Sequence, residues 1–512
     1  MTLNRPTGRL QARLFVTCWL VFVLHFATDI VREHYLSFSL AEDYSFRMDK
    51  YLGLHVDIFD TPGHGAHIGN NPGVSVLGAI PYWLCRPIID RVVASINARR
   101  AGSGEPIAAI YNDPRPRRVE FYRKVREQGL DIRFGLGAGV IQALFMAPLS
   151  AAAAVAMLRV LCAMGLGVRT ALLGAFLFAL GTPIFFRTAY LNQNVFIAHL
   201  FLFGFVALWR PGGFPSWRDN TACFVAGLLG GYSLVSDYSG GIVMAWLGMY
   251  AAWKAWRAGG WPRIFSSALW YAVGAVGPIL FLLFYQWRAF GSPWYPGQHY
   301  MPPVEWIEIG YRGVGWPEWR LFKMLLFDTR FGLLVVCPWL ALSVAGFVTA
   351  LTHRTWLPKP EAIFLASFAM AFLLFFSAVQ YTQLQWVTGV RYLVPAIPAL
   401  FLLALVCLLR LPPMLQYAIL VFAFAESWCL SMVRATEVAD SMARVLFGGI
   451  QLPWLNVLAK MAPQYFPFLA QQSSPLALFA LYAALIFGLW RYPEPEALAR
   501  EVPATPSARV FK

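Results

Sequence analysis

The sequence predicts an all-α polytopic membrane protein, and three observations carry that expectation. Of 512 residues, 58% are hydrophobic and 13% charged, against roughly 25% charge in an average soluble domain. A soluble fold this poor in charge would leave large apolar patches facing water, which soluble proteins avoid. The apolar residues also fall into long runs, many of them near the ~20 residues needed to cross about 30 Å of hydrocarbon. Finally, the 41 basic and 26 acidic residues, a net +15, are distributed by side of the membrane rather than gathered in one domain.

A first span is expected at about Leu14 to Thr28, behind Arg5, Arg9 and Arg13. No small-residue cleavage site follows it, so it is expected to stay uncleaved. Further spans are expected near 134–161, 170–187, 194–209, 220–236, 239–254, 266–286, 331–352, 361–381, 392–410, 414–433 and 474–490, about twelve in all at ~20 residues each. With the N-terminus inside, the short inward connections hold Arg169, Arg210, Arg218, Lys254, Arg257, Arg263, Arg354, Lys359 and Arg410, while the short outward ones hold only Arg187 and Arg391. Short cytoplasmic loops rich in Lys and Arg are what this orientation requires.

The chain is thus expected to divide into six parts: 1–28 (N-terminus and first span), 29–133 (an extracytoplasmic loop with juxtamembrane helices), 134–286 (a helical block), 287–330 (a second outer loop), 331–490 (a helical block with an outer loop near 434–473) and 491–512 (a cytoplasmic tail). The run Val74 to Val93 could be another span, which would invert everything after it. Arg86, Asp90 and Arg91 cut its apolar stretch short, and it is expected to lie along the surface as an amphipathic helix. The basic run Arg115 to Arg118 with Val119 to Gln128 is expected to be a solvated helix, with docking on anionic head groups as the alternative.

The basic excess does not indicate a nucleic-acid partner, because no stretch combines dense Lys/Arg with interleaved aromatics on a polar domain. Cys18, Cys85, Cys162, Cys223, Cys337, Cys407 and Cys429 stand singly, with neither disulfide nor zinc spacing.

In so apolar a chain, charges near membrane depth need individual reasons. Asp29 follows the first span: it either ends the helix at the interface or, half shielded from water and with a raised pKa, acts as a general base on an acceptor hydroxyl. The polar loop beyond it carries Glu42, Asp43, Asp49 and His55 and then Asp57, Asp60, His64 and His67; the carboxylates and imidazoles of the Asp57 to His67 stretch could take a divalent metal, although the spacing matches no standard motif. Asn71-Pro72-Gly73 opens a helix whose free N–H groups could hold a phosphate. Asp237 stands between two apolar runs, and Arg330 and Arg391 flank later ones; Arg suits a bidentate hold on phosphate. Glu426 lies in mid-span, either functional or a hydrogen-bond partner between helices.

In this order the motifs resemble the polyprenyl-phosphate-sugar-dependent glycosyltransferases of the GT-C fold, relatives of protein mannosyltransferases and aminoarabinose transferases. The likeness rests on Asp29 after the first span, Asp49-Lys50-Tyr51, and His67-Ile68-Gly69-Asn70-Asn71-Pro72-Gly73. It continues through Leu180-Gly181-Thr182-Pro183, Asp237-Tyr238, Gly297-Gln298-His299-Tyr300, Asp328-Thr329-Arg330-Phe331-Gly332 and Gly389-Val390-Arg391-Tyr392, spanning about residues 14 to 410. The resemblance implies a GT-C-like fold in a bacterial inner membrane, multi-pass, with its site facing the periplasm. It implies inverting transfer of a sugar from a polyprenyl-phosphate donor to an envelope glycan, lipid or protein acceptor, with Asp29 as base and no required cofactor, a divalent metal remaining possible. Asp49, His67, Asn71, Asp237, Tyr238, His299 and Tyr300 would contact substrate. The family's loop lysine is Asn71 here and its tyrosine is His67, so the carrier phosphate falls to Arg330, Arg391 or Arg187. A transporter or flippase of a lipid-linked sugar is the alternative, favoured by Glu426.

Overall fold

A backbone leaving water must satisfy its own N–H and C=O groups, and in hydrocarbon a helix does so within one segment. The computed structural model is helical almost throughout and describes residues 6–103, 116–385, 387–434, 437–461 and 475–491. Residues 104–115 of the expected first outer loop, with Arg115, residues 462–474 of the expected third, and the stretch beyond Arg491 lie outside the described residues.

Among the described residues four helices are long and apolar enough to cross a membrane: Asp131–Ala163, Gly240–Phe290, Lys359–Ser377 and Pro413–Met432. Val168–Leu180, Gln193–Trp209, Pro338–Thr352, Val394–Leu408 and Leu476–Trp490 are shorter apolar helices. On the second half of Gly240–Phe290, Phe265, Leu269, Val273, Val276, Leu280, Phe284 and Trp287 are all exposed. Steps of three and four place them on one face. An apolar stripe left largely exposed is what a lipid-facing helix presents.

The segment Gly240–Phe290 is two antiparallel arms. A straight helix would set residues 27 apart at about 40 Å, yet the Tyr271 hydroxyl donates to the Met244 carbonyl at 2.5 Å. The chain reverses at Gly259 and Gly260, where the backbone leaves helical angles and Gly260 takes φ +68°, open to a residue without Cβ. Both arms pack on Asp219–Ser236. There Gly227 lies against the Tyr271 carbonyl and Gly274 against the Phe224 carbonyl, each so close that a Cβ would come within about 2 Å. Small residues permit this backbone approach between helices in hydrocarbon.

Elsewhere the expected spans are shifted or broken for local reasons. The first helix is Gly8–Leu24, begun by Thr7, whose hydroxyl accepts the Leu10 N–H at 3.1 Å. It ends before Asp29, which sits in an extended link to the next helix, Arg32–Asp43. The expected 170–187 run stops at Leu180 and resumes as a short helix Ile184–Arg187, because Gly181 and Pro183 intervene. The expected 331–352 run breaks at Cys337 (φ −154°, ψ 70°), the residue ahead of Pro338, where helical angles are sterically disfavoured.

The run from Val74 lies within a longer helix, Gly73–Ser103, that packs against Arg32–Asp43. It leaves Ile80, Trp83, Leu84 and Ile88 exposed, as an amphipathic surface helix would. The helix Pro116–Glu127 buries Tyr122 and Val125, so one of its faces is packed. The polar loop holds a two-stranded antiparallel hairpin, Ile58–Thr61 with Gly65–Ile68, pairing Ile58 with Ile68.

Candidate functional site

Five segments of the chain bring their polar residues together at one end of the helices. Arg32 and Glu33 open the helix Arg32–Asp43, and the Arg32 guanidinium binds Asp57 at 2.6 Å and Glu33 at 3.2 Å. From the 69–73 turn, Asn70 Nδ2 donates to Glu33 Oε1 at 3.0 Å and to Gln193 Oε1 at 3.1 Å. Gln193 begins the helix Gln193–Trp209, and its own Nε2 donates to Asp237 Oδ2 at 2.7 Å. The other oxygen of Asp237 accepts the Ser239 N–H at 2.9 Å. Two carboxylates are thus linked through two neutral amides, an arrangement that holds them apart while filling their lone pairs.

Charge in this network is set by burial and by two arginines. Burial pushes the Asp237 carboxyl above its ordinary value, opposed by the Ser239 hydrogen bonds and then by Arg32 and Arg391. At Asp57 burial pulls the same way, but Arg32, His55 and Arg391 outweigh it and hold the carboxyl below the usual range. Arg391 therefore stands within electrostatic reach of both acids. Its guanidinium lies 5.2 Å from the Tyr392 ring centroid, and it makes no hydrogen bond or ion pair with a described residue.

Arg391 is placed from behind by Arg187. That side chain is wholly buried and donates through Nε to the Val390 carbonyl at 2.8 Å, and through its two terminal nitrogens to the Tyr190 hydroxyl and the Gly389 carbonyl. Arg434 adds a bond from Nη1 to the Phe186 carbonyl at 2.7 Å, and the Gly389 N–H bonds to the Arg330 carbonyl at 2.8 Å. Of the three arginines expected to meet a phosphate, Arg187 is committed to the backbone, Arg330 contributes its carbonyl to the same turn, and Arg391 is presented by it.

Asp29 is half-buried, three residues before Arg32. Burial pushes the His34 imidazole down to about 4, against the attraction of Glu33 and of Asp29, which puts the Asp29 charge within reach of that ring. His34 Nδ1 accepts the Val31 N–H at 3.1 Å, so the neutral ring carries its proton on Nε2, a buried atom with no hydrogen-bond partner among the described residues.

The remaining expected residues form a second group around Phe290. Tyr300 stacks on that ring at 5.1 Å, His67 lies 5.6 Å from it, and Tyr238 accepts a hydrogen bond from Gln286 at 2.5 Å. The 69 and 297 turns touch, since a Cβ on Gly297 would come within 2.9 Å of the Gly69 carbonyl. His299 stacks on Tyr295 at 4.6 Å. Asp49 braces the hairpin, accepting the Ala66 N–H at 2.7 Å and pairing with Arg47; the Ala66 bond chiefly lowers its pKa. Asn71 donates to the Leu234 carbonyl at 2.7 Å, whereas Asn70 donates to Glu33 and Gln193.

Sequence reasoning passed over Arg32, Glu33, Asn70, Gln193, Tyr381 and Arg434. Tyr381 lies in the field of Asp237, Arg32 and Arg391. One available signal was Asn192-Gln193-Asn194, three amides opening an apolar helix. Among the described residues no group of three or more His, Cys, Asp and Glu side chains is placed to hold a metal ion. Of the polar-loop candidates, His55 and Asp57 approach to 3.9 Å, and His67 Nε2 is 3.1 Å from the His64 carbonyl.

No protein-family model, no curated protein and no solved structure matches the chain.

Proposed function

We propose that this is a membrane glycosyltransferase that moves a sugar from a polyprenyl-phosphate donor to an extracytoplasmic acceptor, a glycan, lipid or protein, with inversion. The observation that carries the reading is Arg391, a cation presented by a braced turn within electrostatic reach of Asp57 and Asp237, whose guanidinium makes no hydrogen bond or ion pair with a described residue. A site holding ionised acids next to an uncommitted guanidinium suits a reaction that takes a proton at one point and develops anionic charge at another.

In the proposed step the acceptor hydroxyl gives its proton to Asp29 and its oxygen forms a bond to the anomeric carbon. The bond from that carbon to the phosphate oxygen breaks, and the electron pair leaves with the polyprenyl phosphate. Arg391 faces the charge gained by the leaving group, and such stabilisation is worth about 10²–10³-fold in rate. Asp237, with its raised pKa, and Asn70 and Gln193 would position sugar hydroxyls. The arrangement fits a GT-C-like fold of about twelve spans, multi-pass in a bacterial inner membrane, with this cluster on the periplasmic side.

The test is transfer by Asp29→Asn in membranes supplied with polyprenyl-phosphate sugar, with expression and thermal stability as controls. Transfer at the unmodified rate would remove the mechanism. A lipid-linked sugar flippase is the second reading, favoured by Glu426, which is 2% exposed within Pro413–Met432. Accumulation of an intact lipid-linked glycan on gene deletion supports it over transfer.

A further inference from the structure

Two adjoining cavities lie far from this cluster. Gln193–Trp209 has 17 residues and so runs about 25 Å at 1.5 Å per residue. Gln193 touches Asp237 at one end, and Arg210 follows at the other. Around Arg210 are adjoining cavities of about 230 and 280 Å³ that share Arg210 and Lys254.

The larger basic lining comes from three helix ends. Lys254 Nζ donates to the Leu208 and Trp209 carbonyls, both at 2.8 Å, capping a helix end with positive charge; one of its three donors is left over. Arg210 bonds to the Trp217 carbonyl at 2.8 Å and to Asp219. Arg263 also lines the cavity. It is exposed, folds across Gly259, and makes no hydrogen bond or ion pair with a described residue. Three cations thus face one carboxylate, Asp219, with the Ser266 and Ser267 hydroxyls beside them. The helix Asp219–Ser236 starts here, adding N–H groups that favour an anion.

The walls are apolar, formed by Leu208, Ala222, Ala251 and Ala255. Exposed Trp217, Trp253, Trp256 and Trp261 surround this end, and tryptophans gather at the depth of lipid head groups. We infer that the cavity holds the phosphate of an anionic glycerophospholipid from the leaflet at this pole, with Arg263 closing on it and the apolar wall taking the glycerol and upper acyl chain. Basic pockets between membrane helices select such head groups. The inference does not depend on sugar transfer at the other pole.

Full-length protein in detergent, titrated with phosphatidylglycerol, with phosphatidylcholine of the same acyl chains, and with inorganic phosphate, provides the test by native mass spectrometry. One saturating phosphatidylglycerol adduct is expected, with phosphatidylcholine at least about tenfold weaker; Arg263→Glu should weaken the adduct about tenfold and Arg263→Lys only two- to threefold. Equal binding of the two lipids, or unchanged binding by Arg263→Glu, overturns the proposal. Binding of inorganic phosphate without phosphatidylglycerol overturns the lipid as its source. Arg263 is exposed, so a matched thermal midpoint is expected for the variants and separates lost binding from lost fold.

Discussion

The two poles use positive charge in opposite ways. At the acid-rich pole Arg32 is locked to carboxylates, Asp57 at 2.6 Å and Glu33 at 3.2 Å, and two amides carry the network on to Asp237. At the basic pole Lys254 bonds to backbone carbonyls at a helix end and Arg210 to a loop carbonyl and Asp219. Each pole nonetheless includes an arginine whose side chain makes no hydrogen bond or ion pair with a described residue, Arg391 at the first and Arg263 at the second. The difference lies behind them: Arg391 sits on a turn fixed by a buried side chain, whereas Arg263 lies on the surface. The proposed chemistry belongs to the pole where the cation is held and faces acids, and the proposed lipid adhesion to the pole where it lies exposed beside apolar walls.

Breaking the acid-rich pole should have the larger consequences. Asp29→Asn is expected to reduce sugar transfer by about 10²–10⁴-fold at unchanged thermal stability, read by donor turnover in membranes. Arg391→Ala should cost about 10²-fold in kcat/KM for the donor and much less for the acceptor; equal losses would take Arg391 out of the phosphate role. Arg187→Lys keeps the charge but loses the planar fork, and about a tenfold loss of transfer is expected. In an Arg391→Ala background the same change should add little, because both act through one group; additive effects would make Arg187 merely structural.

The smallest effect is on stability. Asp57→Asn should lower it by about 1.5 kcal/mol at pH 7, at the lower end for a charged hydrogen bond because the two side chains are 20% and 25% exposed. The folded Asp57 carboxyl is held below its ordinary value, so its contribution is complete above the unfolded pKa of about 4 and is lost as pH falls through the folded one. The gap between parent and variant in thermal melts should therefore be constant from pH 5 to 8 and close below about pH 4. A gap that persists in acid would show the pair contributes nothing.

The helices were legible because length and apolarity fix them one segment at a time. The expected 414–433 span and the observed Pro413–Met432 differ by a residue at each end, and the reversal at Gly259–Gly260 falls within the expected basic connection between 254 and 266. Breaks at Gly181-Thr182-Pro183 and Cys337-Pro338 were spelled out by their residues but hidden within hydropathy runs. The site was legible only in part. Asp237 and Arg391 stood out as charges where charge is costly, but neutral Asn70 and Gln193 did not, although they link Glu33 to Asp237. At the 69–73 turn the sequence drew attention to Asn71, whereas Asn70 joins the cluster; no periodicity tells which of two adjacent amides faces which way. Arg187 was read as a ligand for phosphate because its carbonyl partners lie some two hundred residues away in the chain.

The braced turn has one more consequence. Arg187, itself 2% exposed, lies within the electrostatic reach of both Arg434 and Arg391, so the turn gathers like charges around a side chain with little water. An anion entering there relieves that repulsion besides gaining its own contacts. Occupancy and fold are then coupled, and a bound phosphate at a hundred times its Kd would add about 2.7 kcal/mol to the folded state. The chain should melt lowest when it has nothing to act upon.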